Sequence, residues 1–299
     1  MQETMQVCVL GAGTMGHGIA QVAATAGHDV RLRDIEAAYV DDGLDAVRSN
    51  LDGGVEREKL TREEADAAFD RIEGFTDLAE AVSGADLVVE AVPENLDIKR
   101  ETFEEVEANA GEETVIATNT SSLSVTEIAS ALSDPSRAVG LHFFNPVHIM
   151  GLVEVVLAEQ TSEETRAFAA RFVDDIDKAA VEVTDSPGFA SSRLGVALGC
   201  EAMRMVDTGV ASVEDIDAAM ELGYRHPMGP LELTDVVGLD VRLDILEYLR
   251  EELGERFRPP QVLKRKVRAG NLGKKTGEGF YVWEDGEAVR PADGRREGE

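Results

Sequence analysis

Three features of this 299-residue chain predict an α/β domain built on a parallel sheet, followed by an all-helical domain. The first is an apolar strand, Gln6-Val7-Cys8-Val9-Leu10, that runs directly into Gly11-Ala12-Gly13-Thr14-Met15-Gly16, an amphipathic helical run to about Ala26 and a second strand ending at Asp34. The second is the alternation of short apolar strands with helical stretches through residue 183, as a parallel sheet with crossover helices requires. The third is a change of pattern at Asp185-Ser186-Pro187-Gly188. Pro and Gly together break either element, and beyond them the periodicity is helical. We therefore expect domains at residues 1–184 and 185–299.

The glycine-rich turn carries the first chemical expectation. Gly11 permits the sharp turn, Gly13 lets a pyrophosphate approach the backbone, and Gly16 lets the helix pack closely on the strand. The amides and dipole of the helix N-terminus then face the phosphates. Ala12, Thr14 and Met15 complete the turn. Asp34 closes the second strand about twenty residues on, where a carboxylate accepts hydrogen bonds from ribose hydroxyls and repels a 2′-phosphate. The whole reads as a Rossmann-type dinucleotide-binding domain that prefers NAD to NADP. Arg31 and Arg33 flank the position, and strand alternation points both away from it or along its edge.

The remaining elements follow in order. A helical excursion covers Glu36 to Phe69, with a break expected at Asp52-Gly53-Gly54. The sheet resumes at Asp86 to Glu90, Thr114 to Thr118 and Ala138 to Leu141, and a helix from Glu163 to Ile176 leads to a strand at Ala180 to Thr184. Helices are expected at Phe189 to Asp207, Val213 to Met220, Leu231 to Val237, Leu239 to Leu253 and Gln261 to Ala269. The polar stretch Asp285 to Glu299 is expected to fray.

Two ionisable residues interrupt apolar strands. His142 ends the run Ala138 to Leu141, and Glu154 sits within Leu152-Val153-Glu154-Val155-Val156. Burying either without a partner costs about several kcal/mol, so a mutual contact is the economical arrangement. Oxidising a secondary alcohol with NAD requires a base on the hydroxyl as hydride leaves the same carbon. His142 is the candidate base, with Glu154 orienting the imidazole and stabilising the imidazolium. The other histidines fit that role less well. His17 and His28 read as packing or surface residues and His226 as a turn residue, whereas His148 lies near enough to compete.

Composition restricts the partners. With 59 acidic against 29 basic residues the formal net charge is −30, which disfavours nucleic acid and anionic membranes. Lysine is scarce, 7 against 22 arginines. Acids scattered over helices with little lysine point to a high-salt cytoplasm that screens their repulsion. No apolar run reaches membrane-spanning length and the N-terminus lacks a basic secretion start, so a cytoplasmic location is expected. Cys8 and Cys200 read as small buried hydrophobes, and no metal-ligand spacing is present. Eight bases fall between Arg256 and Lys275. They fit either phosphate or subunit contacts, or a helix face paired with acids.

Several segments in order resemble the L-3-hydroxyacyl-CoA dehydrogenase family, which includes 3-hydroxybutyryl-CoA dehydrogenases, over nearly the whole length. They are Gly11 to Gly16, Val89-Glu90-Ala91-Val92-Pro93-Glu94-Asn95, Asn119-Thr120-Ser121-Ser122-Leu123, His142-Phe143-Phe144-Asn145-Pro146, Pro187-Gly188-Phe189, Pro227-Met228-Gly229-Pro230 and Lys275-Thr276-Gly277-Glu278-Gly279-Phe280-Tyr281. The resemblance implies an NAD-dependent enzyme on acyl-CoA substrates, with a helical domain that closes over the substrate and forms a homodimer. It also implies that Ser121 contacts substrate and cofactor and that Asn145 places the nicotinamide region. Glu94 and Lys99 match positions near the nicotinamide ribose, and Lys275 one near the cofactor. On the residues alone, a helix cap is the lesser alternative for Ser121, since Ser122 or Ser124 could supply it, and a solvated loop and helix face stands beside binding for Glu94 and Lys99. This chain departs from the family at Ser192, where an asparagine near the catalytic histidine is usual, and at Gly151, where lysine is common. Basic candidates for CoA contacts thin to Arg48, Arg57 and Lys59. These departures leave two other readings open, an oxidoreductase of the same superfamily acting on a non-CoA hydroxy acid or sugar acid, and a non-catalytic crystallin-like relative.

Overall fold

The computed structural model describes residues 4–292, and the chain divides into two compact units, Met1–Ser186 and Pro187–Glu299. In the first, strands β1 (Gln6–Leu10), β2 (Asp29–Arg33), β3 (Ile72–Phe75), β4 (Leu87–Glu90), β5 (Val115–Thr118), β6 (Ala138–Phe143), β7 (Leu152–Leu157) and β8 (Ala179–Thr184) form one sheet in the order β3-β2-β1-β4-β5-β6-β7-β8. Helices α1 (Thr14–Thr25), α2 (Ala37–Glu56), α3 (Arg62–Phe69), α4 (Leu78–Val82), α5 (Leu96–Asn109), α6 (Val125–Ala129) and α7 (Glu163–Asp175) accompany it. Every residue of β4, β5 and β6 is buried, the pattern of strands covered on both faces. β1 lies between β2 and β4, both parallel to it, so the strand order reverses there. Crevices outside the carboxyl ends of strands at such a reversal are where open α/β sheets bind ligands.

The sheet departs from the expected all-parallel arrangement at β7, which runs antiparallel to β6. Only residues 144–151 join the two strands, too few for the crossover of a dozen or more residues that a parallel return needs. The antiparallel register sets His142 directly opposite Glu154, on one face of the sheet. β8 then pairs parallel to β7.

The helical excursion also breaks later than expected. α2 runs through Asp52-Gly53-Gly54 and ends at Glu56. Two glycines inside a helix cost about 1 kcal/mol each, but Val47 and Leu51 pack with Ala65 and Ala68 of α3 in a small core of their own. That burial favours continuing the helix. The chain turns at Arg57 to Leu60, and Thr61 opens α3 with a capping box to Glu64.

The second unit contains α8 (Ser191–Thr208), α9 (Val213–Tyr224), α10 (Pro230–Val237), α11 (Leu239–Leu253) and α12 (Gln261–Ala269). It is helical, with one addition. β9 (Tyr281–Glu284) and β10 (Glu287–Pro291) form an antiparallel hairpin, where fraying from Asp285 was expected; residues 293–299 lie outside the described residues. The hairpin is fixed from its start. Asp235 accepts hydrogen bonds from the Phe280 and Tyr281 N–H groups and the Trp283 indole, and the Tyr281 hydroxyl donates to Asp217. Phe280, Tyr281 and Trp283 thereby join the core formed with Leu231, Leu246 and Leu263. Burial pushes the carboxyls of both Asp217 and Asp235 above the ordinary aspartate range, against the pull of these donors.

Candidate active site

The glycine turn shows why its residues are glycines. Gly11 has φ +99°, and a Cβ there would meet the Ala91 carbonyl oxygen at 2.6 Å. A Cβ at Gly16 would lie 1.6 Å from the Gly11 carbonyl oxygen, so α1 could not start so close to β1. A side chain at Gly13, by contrast, would enter open space. That space belongs to a cleft of about 930 Å³ lined by Gly11, Gly13, Thr14, Asp34 and Val92 among others. Asp34 closes the turn, accepting hydrogen bonds from the Ala12 N–H through Oδ2 and the Ile35 N–H through Oδ1, both at 2.7 Å. Each oxygen keeps acceptor capacity for a ribose hydroxyl.

Arg31 turns away, donating to the carbonyls of Glu80, Ala81 and Ser83. Arg33 does not turn away and takes the other placement that alternation left open. It lines the cleft beside Asp34 while its Nε donates to the Thr76 carbonyl. His17, expected as a packing or surface residue, also lines the cleft.

At the carboxyl end of β6, His142 Nδ1 lies 2.8 Å from Glu154 Oε2. Both side chains are buried, at 6% and 1% exposure, and the imidazole packs on Phe144 with ring centroids 4.4 Å apart. Asn119, at the end of β5, accepts the Phe143 N–H at 2.9 Å and so fixes the strand beside the histidine. The chain then leaves through the cis Asn145-Pro146 bond.

A second polar cluster lies at the ends of β4 and β5. Asn95 caps α5, and Lys99 in its first turns is 1% exposed. The Lys99 ammonium lies 2.7 Å from Glu90 Oε1 and 3.3 Å from Glu94 Oε2. Glu94 Oε1 accepts from the Thr120 hydroxyl at 2.6 Å and from the Ser121 N–H at 2.9 Å, with the Ser121 hydroxyl at 3.3 Å. Burial raises the Glu94 carboxyl, but the Lys99 charge and the Thr120 and Ser121 donors outweigh it and leave the group below the ordinary glutamate range. Ser121 is not a helix cap; Ser124 caps α6. Lys99 is not a solvated residue either. Glu90, to which the sequence reading assigned no role, proves central. Its signal was present, a charge closing an otherwise apolar strand, the same feature that singled out His142 and Glu154.

The basic candidates divide. Arg48 is engaged within the excursion, bonded to Asp66 at 2.8 Å and stacked over Phe69. Arg57 and Lys59 line a separate cavity of about 720 Å³, together with His148, Gly151 and Lys178. Lys178 donates to the carbonyls of Val147 and Met150 at 2.7 and 2.6 Å, and burial lowers its ammonium below the usual lysine range. Burial, then the neighbouring charges of Arg57, His17 and Lys178, lower the His148 imidazole. In the second unit, Ser192 lies in the first turn of α8, and Lys275 bonds Asp240 at 2.6 Å. Three of the eight bases of the island, Lys264, Arg265 and Lys275, pair with acids. Lys264 meets Glu247 and Arg265 meets Asp207, while Lys266 donates to the Gly279 carbonyl.

Residues 6–186 match the family model described as 3-hydroxyacyl-CoA dehydrogenase, NAD binding domain, and residues 188–283 the one described as the C-terminal domain of the same enzyme. The chain belongs to the 3-hydroxyacyl-CoA dehydrogenase family. Its relatives include a probable 3-hydroxybutyryl-CoA dehydrogenase of Bacillus subtilis, 44% identical over 95% of this chain and 99% of that protein. The 3-hydroxybutyryl-CoA dehydrogenase of Clostridioides difficile is 41% identical over 93% of this chain and 99% of its own. The crystal structure of (S)-3-hydroxybutyryl-CoA dehydrogenase from Ralstonia eutropha superimposes with a TM-score of 0.91 at 40% identity, covering 95% of this chain and 100% of that one. The first domain is thus that of an NAD-dependent dehydrogenase, and the open space at Gly13, the closed turn at Gly11 and Gly16 and the carboxylate at Asp34 fit that cofactor. Among the described residues no helix is long and apolar enough to cross a membrane.

Proposed function

We propose that the protein interconverts L-3-hydroxyacyl-CoA and 3-oxoacyl-CoA, with His142 as general acid and base. The observation that carries this reading is the buried 2.8 Å contact between His142 and Glu154 at the carboxyl end of β6. When bound, NAD supplies the hydride acceptor. Glu154 holds the imidazole through Nδ1, so Nε2 takes the substrate hydroxyl proton as the C–H bond breaks and the carbonyl forms. The carboxylate stabilises the resulting imidazolium. In reverse the imidazolium returns that proton to the ketone oxygen. Ser121 presents its hydroxyl to substrate and cofactor, and Asn145 places the reacting ring. Glu94 contacts the cofactor, with the buried Lys99 holding Glu94 from beneath and the glycine turn and Asp34 holding the cofactor's phosphates and ribose.

Arg57, Lys59 and Lys178 give the 720 Å³ cavity the cations that CoA phosphates require. Arg48 contributes less, being bonded to Asp66. Ser192 reaches substrate through water or not at all, one hydroxyl replacing an amide.

The second unit supports a homodimer. Leu194, Leu222, Tyr224, Val236 and Val241 expose 40 to 84% of their surface, an apolar excess that marks interaction sites. The reduced, buried Cys8 and Cys200 suit a cytoplasm, and the −30 charge a salty one.

Oxidation of NADH with acetoacetyl-CoA, compared with free acetoacetate, tests the reading. We expect turnover with the thioester at least about a hundredfold more efficient, and NADPH a far poorer donor because Asp34 repels the extra phosphate. Preference for free acetoacetate would favour the non-CoA alternative, no turnover with either would favour the non-catalytic one, and comparable NADPH rates would show that Arg33 reaches the phosphate.

A further inference from the structure

We propose that Glu90 is a positioning residue for the reaction, acting through Lys99 and Glu94 on the Ser121 hydroxyl. This rests on the role given to Ser121 above. Glu90 ends β4, in register with Leu10 of β1 on one side and Thr118 of β5 on the other, at the reversal of strand order. It is fully buried, and both its oxygens are engaged. Oε1 accepts from the Lys99 ammonium and the Val92 N–H at 2.7 Å, and Oε2 from the Thr118 hydroxyl at 2.7 Å.

Its effect on the site follows from how Lys99 divides its attention. The ammonium sits close to Glu90 and farther from Glu94, at 2.7 against 3.3 Å. While Glu90 holds the cation down, Glu94 directs its other oxygen to Thr120, Ser121 and Ser122. Without the Glu90 charge, Lys99 has one carboxylate left to pair with and draws Glu94 toward it. The Ser121 N–H and hydroxyl then lose their acceptor geometry. A fold alone has no need of this arrangement, since a buried ion pair replaced by apolar residues of similar volume is often no less stable. The cluster sits instead where the chain changes from strand to the loop that presents Ser121.

The test uses full-length wild type, Glu90→Gln, Ser121→Ala and the double variant, assayed for NADH oxidation with acetoacetyl-CoA. Gln keeps the shape and removes the charge. We expect Glu90→Gln to lower the melting temperature, because Lys99 loses the nearer of its two carboxylates, and to lower kcat about tenfold with the pH midpoint of kcat nearly unchanged, the same change costing less than about twofold in kcat once Ser121 is alanine. Equal losses in both backgrounds, or an unchanged kcat in folded Glu90→Gln, would overturn the proposal. A Ser121→Ala enzyme with wild-type kcat would instead remove the role of Ser121 itself, and the route through it. Should Glu90→Gln not fold, Thr118→Val frees one Glu90 oxygen without changing any charge. It should lower kcat by about threefold, again only when Ser121 is present; background-independent loss, or none, counts against the proposal.

Discussion

The two units bury carboxylates in opposite ways. In the first, Glu154 of β7 lies against His142 near the carboxyl end of β6, and Glu90 at the carboxyl end of β4 shares Lys99 with the partly exposed Glu94 of the following loop. In the second, Asp217 accepts from two backbone N–H groups and a tyrosine hydroxyl. Asp235 accepts from two N–H groups and an indole, with Lys266 adding a weaker charge effect. The titration directions follow the partners. Glu94, beside a cation, is held below its ordinary range, whereas burial keeps Asp217 and Asp235 above theirs. A carboxylate paired with a cation stays charged and can steer charge in a reaction. One satisfied mainly by neutral donors ties distant segments together, here α9 and α10 to the hairpin.

The sharpest way to break this contrast is at His142. Replacing it by Gln should lower turnover by at least about a hundredfold while NADH still binds, the usual scale for losing a general base. Near-normal turnover would remove it from catalysis. Glu154→Gln should lower turnover by about tenfold or more and move the pH profile of kcat toward lower pH, because the imidazolium loses its charge partner; an unmoved profile would make Glu154 merely structural.

Stability should separate the two kinds of carboxylate. Lys99→Met leaves Glu90 buried without its cation, a loss of about 3 to 5 kcal/mol. Tyr281→Phe removes one donor to Asp217 and should cost about 1.5 to 3 kcal/mol, the scale of a hydrogen bond to a charged group. Urea melts that reverse this order would show that the cation is not what supports Glu90.

The surface acids form a third population, in a chain whose 59 acidic residues outnumber its 29 basic ones. Their repulsion weakens as the Debye length shrinks from about 10 Å at 0.1 M salt to about 3 Å at 1 M. Activity and melting temperature should climb together toward molar KCl, with the secondary structure and any dimer loosening in dilute buffer. Circular dichroism and sedimentation that do not change over that range would rule out the high-salt reading.

The smallest expected effect concerns pH. Because Asp217 is raised on folding, the folded chain binds its proton more tightly than the unfolded one. The stability it contributes is therefore full below the unfolded carboxyl range, near pH 4, and declines as pH rises through the raised value. Asp217→Asn has no proton to lose and should flatten the melting-temperature profile over that window. An unchanged slope would mean that the three donors offset burial completely.

Local pattern made much of this legible beforehand. The glycine turn, Asp34, the central strands and the five helices of the second unit depend on neighbours within a few residues, and periodicity and turn chemistry report those directly. The pairing of His142 with Glu154 was legible for a different reason. Ionised groups in apolar strands demand a partner, and each was the other's nearest solution. Tertiary structure decided what the demand for a partner leaves open. The short connection at residues 144–151 forced β7 antiparallel and put the pair in register. Packing against α3 carried α2 through its two glycines, and Asp235 captured a tail that by composition would fray. Glu90 met Lys99 only because β4 and α5 fold back on each other beneath the Ser121 loop. Sequence states which groups cannot stay alone in a low-dielectric interior, but strand order and register, set by the packing of the whole sheet, choose which group comes to meet them.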